Sequence, residues 1–434
     1  MNTRRTVTLR VCAVLVAGLF QCASAGAGGE VVRVGLVRFY KGVGQVALSS
    51  ASGIVLTDAN GKQIVSGEAG AEMTLSAEGG VVTVKSGLDV YPASGLFVSA
   101  TPGDPASTVR ISCLRQPARE YRGAVEIRSK PWGLLLVNVV PVEDYLMGVV
   151  PEEMPSGYPL EAIKAQAVTA RTYALCNHAK HAGEGYDLCD YSNCQTYGGV
   201  AVEKPRTTEA VNATRGLVLT YGGKVASVMY STDCGGVTQD FSETRPNSKI
   251  PYLASVTEPA DIPHCSWELR YTMRELEAKL IAAGIDKAAG LAGIRVSKTG
   301  ASGRAVELEI TGEKGAATIS GLALRNALGP RALKSLLFTI EAAPDGGVVL
   351  KGKGSGHGVG LCQVGAKDLA SPPRSYTFQQ ILAHYFPGTG IAVGATPGNQ
   401  RKVEVKPGPS GQSKQSRGQS GVAFDVRLDA PDGL

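Results

Sequence analysis

Four acids gather between residues 143 and 153: Glu143, Asp144, Glu152 and Glu153. The last two stand in Pro151-Glu152-Glu153-Met154-Pro155. A positioned carboxyl group can protonate a leaving oxygen and later accept a proton, so one residue can serve as acid and base. Glu152 would raise the pKa of Glu153 by like-charge repulsion and favour the protonated form. The alternative is a pair of solvated loop acids. Lys164 and Arg171 are seven residues apart, and on a helix they share a face. They either bind an anion or pair with Glu161 or Asp144. Cys189 and Cys194, with His178 and His181 upstream, suit a tetrahedral zinc with one position left open. A Cys189–Cys194 disulfide or free thiols are the alternatives. His357 lies among Gly354, Gly356, Gly358 and Gly360, with Cys362 and Gln363 close behind. Glycines there permit positive φ and close backbone approach, so His357 and Gln363 can offer hydrogen bonds to hydroxyls. A tight turn around a core histidine is the alternative. Cys362 near His357 also has the form of a Cys–His nucleophile. Cys234 and Cys265 are the leading disulfide pair and His264 an alternative metal ligand, because connectivity does not follow from sequence.

The elements that must position these residues can be read coarsely. Residues 26–130 read as a β-rich supporting domain. It opens on the strand-like run Val31–Tyr40. Ile54-Val55-Leu56 and Gln63-Ile64-Val65 flank Asp58-Ala59-Asn60-Gly61, and Asn-Gly marks a hairpin. Residues 131–395 read as a mixed α/β region. It begins with a near-continuous apolar strand, Leu134–Val142, of the kind buried on both faces. A polar, proline-punctuated loop from Glu143 to Pro159 carries the acids. A long helix from Leu160 to about Ala182 follows, with Pro159 as its first residue. Leu217–Tyr221 and Lys224–Tyr230 form a hairpin across Gly222-Gly223. Thr272–Glu275 and Thr377–Gln380 read as capping boxes opening helices. Ala305–Ile310 and Ser335–Glu341 are strands around a short helix near Gly321–Leu328. The fold class is therefore α+β, with a disordered tail over 396–434.

Composition bounds the function. At 434 residues the chain is long enough for two or three domains. Charged residues are 19%, too few for a chain held open by charge. Glycine numbers 55 without a collagen period, which points to many turns. The net charge of +6 sits at the ends. Arg4, Arg5 and Arg10 lead, and residues 401–417 carry five cations against Glu404. The body between is nearly neutral, which argues against a nucleic-acid partner. The first three arginines precede or enter an apolar run to Phe20, and Ala23-Ser24-Ala25 offers a small-residue exit. Residues 1–25 thus read as a secretory signal peptide. The mature protein is expected to be exported, to the periplasm or the cell wall. It would meet a membrane only through that segment before cleavage. Removing Cys12 and Cys22 leaves seven cysteines. An odd number in an exported chain leaves at least one for a metal or a free thiol.

The segment Pro141–Leu175, PVEDYLMGVVPEEMPSGYPLEAIKAQAVTARTYAL, resembles the SpoIID/LytB family (stage II sporulation protein D and relatives). YSTDCGGVTQ at 230–239, PYLASV at 251–256, GSGHGVGLCQVGAKDLA at 354–370 and FQQILAHYFPGT at 378–389 resemble its further segments. The resemblance implies an exported lytic transglycosylase. Such an enzyme cuts peptidoglycan strands between N-acetylmuramic acid and N-acetylglucosamine and leaves a 1,6-anhydro end. The LytB branch implies instead a wall-binding helper that stimulates an amidase. A zinc-dependent amidase is a third reading. A transglycosylase needs no water nucleophile, because the sugar's own 6-hydroxyl attacks, so one carboxyl suffices where ordinary glycosidases use two. The resemblance makes Glu153, directly before Met-Pro, that carboxyl. It makes His181, Cys189 and Cys194 the zinc ligands, although many relatives place His where this chain has Asn193. It often places serine at Cys362, against the Cys–His nucleophile. The family also has Lys164 and Arg171. A cation beside the acid would lower its pKa, so these two are expected to bind substrate, such as the lactyl carboxylate of a muramic acid without its stem peptide. His357 and Gln363 are expected to line the sugar groove.

Overall fold

The computed structural model describes residues 30–393, apart from 88, 94, 102–106, 115, 246 and 247. The expected signal segment and the tail lie outside the described residues. The architecture is α+β. A seven-stranded sheet runs in the order Leu188–Cys189, Val31–Gly35, Gly133–Pro141, Ala124–Lys130, Leu96–Ala100, Ile54–Thr57 and Gln63–Gly67. A six-stranded sheet that includes Gln45–Ser49 and Met73–Glu78 shares its core. The strand Gly133–Pro141 is buried from Leu134 through Asn138, as an apolar run covered on both faces should be. It pairs with Ala124–Lys130 across the expected boundary at residue 130. Both expected regions therefore contribute to one sheet. The hairpin Ile54–Thr57 with Gln63–Gly67 forms as expected, while Val31–Tyr40 is a strand only to Gly35 and then a helical turn, Val37–Tyr40.

The segment expected to be a loop is mostly a helix, Val142–Glu153. Its prolines misdirect the sequence reading. Pro151 sits in the last turn, where its missing N–H removes a single ladder bond. Burial of Val142, Tyr145, Leu146, Val149 and Val150 outweighs that loss. The chain then turns at Met154 and enters a second, central helix, Leu160–Cys176. Pro159 is its N-cap rather than its first helical residue, and it stops well before Ala182. Nine of the twelve buried positions of this helix are Ala, Val, Ile or Thr, so neighbouring elements approach closely. Both capping boxes form, opening Met273–Ala282 and Phe378–Tyr385.

A separate apolar core lies within residues 267–350. Trp267, Leu276, Leu308, Leu324 and Leu350 gather there around the strand Ala305–Gly312 and the helix Gly321–Leu328. From its edge the chain returns through the glycine-rich segment to Leu361–Cys362, which pairs in parallel with Tyr230–Ser231.

Candidate active site

Glu153 is the last residue of its helix. Carbonyl groups at that end carry partial negative charge, which opposes ionisation of a nearby carboxyl. Its Oε1 accepts the Thr196 N–H at 2.6 Å. Burial pushes its pKa above the usual glutamate value; hydrogen bonds from Thr196 and Tyr230 pull the other way, and Glu152 adds repulsion. The net direction favours a proton on Glu153. The neighbouring acids are engaged elsewhere. Glu152 is exposed, 3.7 Å from Arg38. Glu143 is held by Arg171, and Asp144 lies beside Arg122 and Glu203.

The segment Cys194–Tyr197 sets up this environment one residue at a time. Gln195 is fully buried; it accepts from the Tyr145 hydroxyl at 3.4 Å and donates to the Tyr230 hydroxyl at 3.2 Å. Thr196 meets Glu153. The Tyr197 hydroxyl donates to Asn138 at 2.8 Å. Close approach depends on Gly148 in the acid-bearing helix. A Cβ there would stand 2.6 Å from the Tyr197 ring. Tyr173 packs edge-on to Tyr230 with ring centroids 6.4 Å apart. Burial first, and then Cys194, Cys189 and Glu153, push the Tyr173 phenol pKa up.

Cys194 belongs to a compact trio. The ligating atoms of His181, Cys189 and Cys194 lie within 4.8 Å of one another, and His181 Nε2 is 3.3 Å from Cys194 Sγ. His178 stays outside, against the Leu175 carbonyl. Cys189 is placed by the sheet edge, where Leu188–Cys189 pairs with Val31–Gly35. Glu184 binds His181 Nδ1 at 2.6 Å, and its other oxygen accepts from the Tyr186 hydroxyl at 2.7 Å. This fixes the imidazole so that Nε2 faces the sulfurs, the arrangement metal-bound histidines use. Its hydrogen bond with Cys189 holds the Cys194 thiol down at about 5. Burial acts to lower the His181 pKa, but Glu184 and Cys194 raise it net. Two sulfurs and one imidazole nitrogen at these separations fit zinc, with one position left over. Asn193 Oδ1 faces the trio, 3.2 Å from His181 Nε2.

The glycine-rich segment is fastened to the Tyr230 strand. Asp233 and Ser355 exchange backbone hydrogen bonds at 2.9 and 2.8 Å, and Gly358 N–H donates to Ser231 Oγ at 3.1 Å. Gly358 has φ +75, and a Cβ on it would stand 2.2 Å from Arg304. His357 Nδ1 accepts the Val359 N–H at 3.0 Å. Burial, with Arg325 and Arg304 adding to it, holds His357 down at about 4. It is therefore a neutral imidazole, also hydrogen-bonded to the Tyr230 backbone.

Glu153, the trio and His357 thus converge around Tyr230. Three other expected residues do not join them. Arg171 is buried, with Nε and Nη2 on Glu143 at 2.8 and 2.7 Å and further bonds to the Leu217 and Val211 carbonyls. It is a bracket between the two helices and not a surface cation. Lys164 pairs with Glu161 at 2.7 Å. Gln363 is buried and donates to Gln166 on the central helix at 3.3 Å. Cys234 does not reach Cys265 as expected. Cys265 is exposed, whereas Cys234 is buried against Cys362, and both are free thiols. Two cavities of about 700 and 220 Å³ are lined by neither Glu153, Lys164 nor Arg171. Sequence reading missed Gln195, Thr196 and Tyr230 as site residues. Their roles depend on backbone and hydroxyl positions that no spacing encodes.

Comparison with known proteins gives two family matches, both within residues 131–395. Residues 132–221 match the family described as Stage II sporulation protein, SpoIID. Residues 240–360 match a domain of unknown function, DUF8618. A protein of Brachyspira hyodysenteriae described as uncharacterized is 34% identical over 274 residues, 63% of this chain and 72% of that one. Stage II sporulation protein D of Bacillus subtilis is 30% identical over 305 residues, 62% of this chain and 82% of that one. The amidase enhancer of Bacillus subtilis is 29% identical over 293 residues, 57% of this chain but 40% of that one.

Proposed function

The chain belongs to the SpoIID/LytB family, and we propose that it is an exported peptidoglycan lytic transglycosylase with Glu153 as its general acid and base. The observation that carries the reading is the environment of Glu153. It is a single carboxyl, pushed toward its protonated form by burial, with one oxygen anchored by the Thr196 amide.

The chemistry follows from that one group. Glu153 gives its proton to the glycosidic oxygen between N-acetylmuramic acid and N-acetylglucosamine. The C1–O bond breaks and the N-acetylglucosamine end leaves as an alcohol. The 6-hydroxyl of the same muramic acid attacks C1, and the Glu153 carboxylate takes its proton. The products are a 1,6-anhydro end and a regenerated acid, with no water consumed. Thr196 holds the carboxyl oriented through both transfers. His357, with Nδ1 taken by the Val359 N–H and the ring also bonded to the Tyr230 backbone, braces the glycine-rich segment beside the acid. A zinc held by His181, Cys189 and Cys194 would supply a Lewis-acidic open position, and it would fix the Cys194–Tyr197 segment that orients Glu153. In this reading residues 26–130 support the catalytic region 131–395, and the substrate is the glycan strand. Among the described residues no helix is long and apolar enough to cross a membrane.

Digestion of purified peptidoglycan and of denuded glycan, read by mass spectrometry, tests this. Anhydromuramyl products should appear, and Glu153→Gln should lower their rate by about 10²–10⁴-fold. Release of stem peptides would point to an amidase. A second reading, a non-catalytic wall-binding protein that stimulates an amidase, draws on the amidase enhancer relative. It predicts no product from the chain alone and faster product from an added amidase.

A further inference from the structure

A second cluster of sulfur and carboxylate lies beside the Tyr230 strand. Cys234, Glu258 and Cys362 are all buried, and their ligating atoms lie within 4.8 Å of one another. They come from three distant segments. Cys234 follows the strand Tyr230–Ser231, and Cys362 is the N-cap of the helix Gln363–Ala370. Glu258 sits on the loop between them, with its backbone N–H bonded to the Gly236 carbonyl.

Three features set this cluster apart from an ordinary pair of core thiols. Cys362 Sγ accepts two backbone N–H groups, from Cys234 at 3.2 Å and from Gly365 at 3.3 Å. Glu258 Oε1 takes the Tyr385 hydroxyl. Its Oε2 lies 3.1 Å from His264 Nε2, yet neither atom makes a well-formed hydrogen bond. Arg304 is wholly buried; it bonds to the Cys234 and Val237 carbonyls and has no ion pair among the described residues. A buried cation of that kind calls for negative charge nearby.

We infer that Cys234, Cys362 and Glu258 form a second, structural site for a divalent metal such as zinc, with His264 Nε2, 3.1 Å from Glu258 Oε2, as the candidate fourth donor. Two thiolates with a carboxylate and an imidazole suit tetrahedral zinc. Asp233 holds His264 Nδ1 at 2.7 Å, which turns Nε2 toward Glu258, as carboxylates do behind metal-bound histidines. Two thiolates and a carboxylate on a divalent ion leave one negative charge, which Arg304 balances. Binding releases the two thiol protons to solvent and changes no oxidation state. A Cys234–Cys362 disulfide would occupy the sulfurs but leave Glu258 Oε2 without a well-formed hydrogen bond. The site would pin the Tyr230 strand, the Glu258 loop and the His357 segment together, independently of whether the chain cleaves glycan.

Metal analysis of the full chain tests this. Zinc per chain should fall by one equivalent from the unmutated protein to Cys234→Ser/Cys362→Ser; an unchanged value overturns the inference. Should that variant fail to fold, the complementary variant Cys189→Ser/Cys194→Ser decides. Loaded with Co²⁺ alone, it should keep one equivalent and show sulfur-to-cobalt charge transfer. Absence of that band, or peptide mapping that finds a Cys234–Cys362 disulfide, overturns the site.

Discussion

Arg171 and Lys164 lie on one helix and were expected to do one job, but their surroundings separate them. Arg171 is almost wholly inaccessible and grips Glu143 with two nitrogens. Arg171→Ala leaves a carboxylate buried without its partner, so it should cost about 3–5 kcal/mol of unfolding free energy, read by denaturant titration. Lys164→Ala breaks a partly exposed pair and should cost no more than about 1 kcal/mol. Glu153 makes a pH prediction whose sign is fixed. Burial raises its folded pKa above the ordinary value of 4.5. The folded state therefore binds this proton more tightly than the unfolded state. That contribution is fully present below the ordinary value and is lost as pH rises through the folded one. Glu153→Gln should thus gain stability relative to the unmutated chain as pH climbs through that window, measured by Tm at several pH values. Activity that needs the protonated acid should fall over the same rise.

At the scale of elements, the short segment Cys194–Tyr197 links the trio to the acid. A metal at His181, Cys189 and Cys194 would hold Cys194, and two residues later Thr196 holds Glu153. Chelation, or His181→Ala, should therefore speed hydrogen exchange at the Thr196 amide while leaving the central helix protected. Unchanged exchange at Thr196 would separate the two clusters. The helix Phe378–Tyr385 is tied to the Glu258 loop through the Tyr385 hydroxyl. Its capping box makes Thr377→Ala worth about 1 kcal/mol in thermal unfolding. Elements were legible where local chemistry sets them. Both capping boxes, the Asn-Gly hairpin and the buried strand after Gly133 form where the sequence places them. The acid-bearing helix was not legible, because its stability comes from burial of Val142–Val150 against other elements, and its one internal proline and four acids mask that. The early end of the central helix has a similar cause. Past Cys176 the chain leaves the core to carry His181 toward the sulfurs.

Across the whole molecule, residues far apart in sequence meet around Tyr230. The acid, the histidine-and-sulfur trio and His357 were each visible in sequence as residue types at telling spacings. Their convergence was not, since it depends on the parallel pairing of Tyr230–Ser231 with Leu361–Cys362 and on Gly148 letting two segments touch. The same pairing brings Cys234 to Cys362 rather than to Cys265. The expected division at residue 130 follows composition, whereas the main sheet follows hydrogen bonding and crosses it. In the proposed reaction one carboxyl, Glu153, moves a proton twice while the sugar supplies its own nucleophile. Digestion of denuded glycan in ¹⁸O-labelled water measures this most directly. The 1,6-anhydro ends should carry no solvent oxygen and should vanish in Glu153→Gln. Reducing ends labelled with ¹⁸O, or anhydro ends that persist in Glu153→Gln, would contradict it.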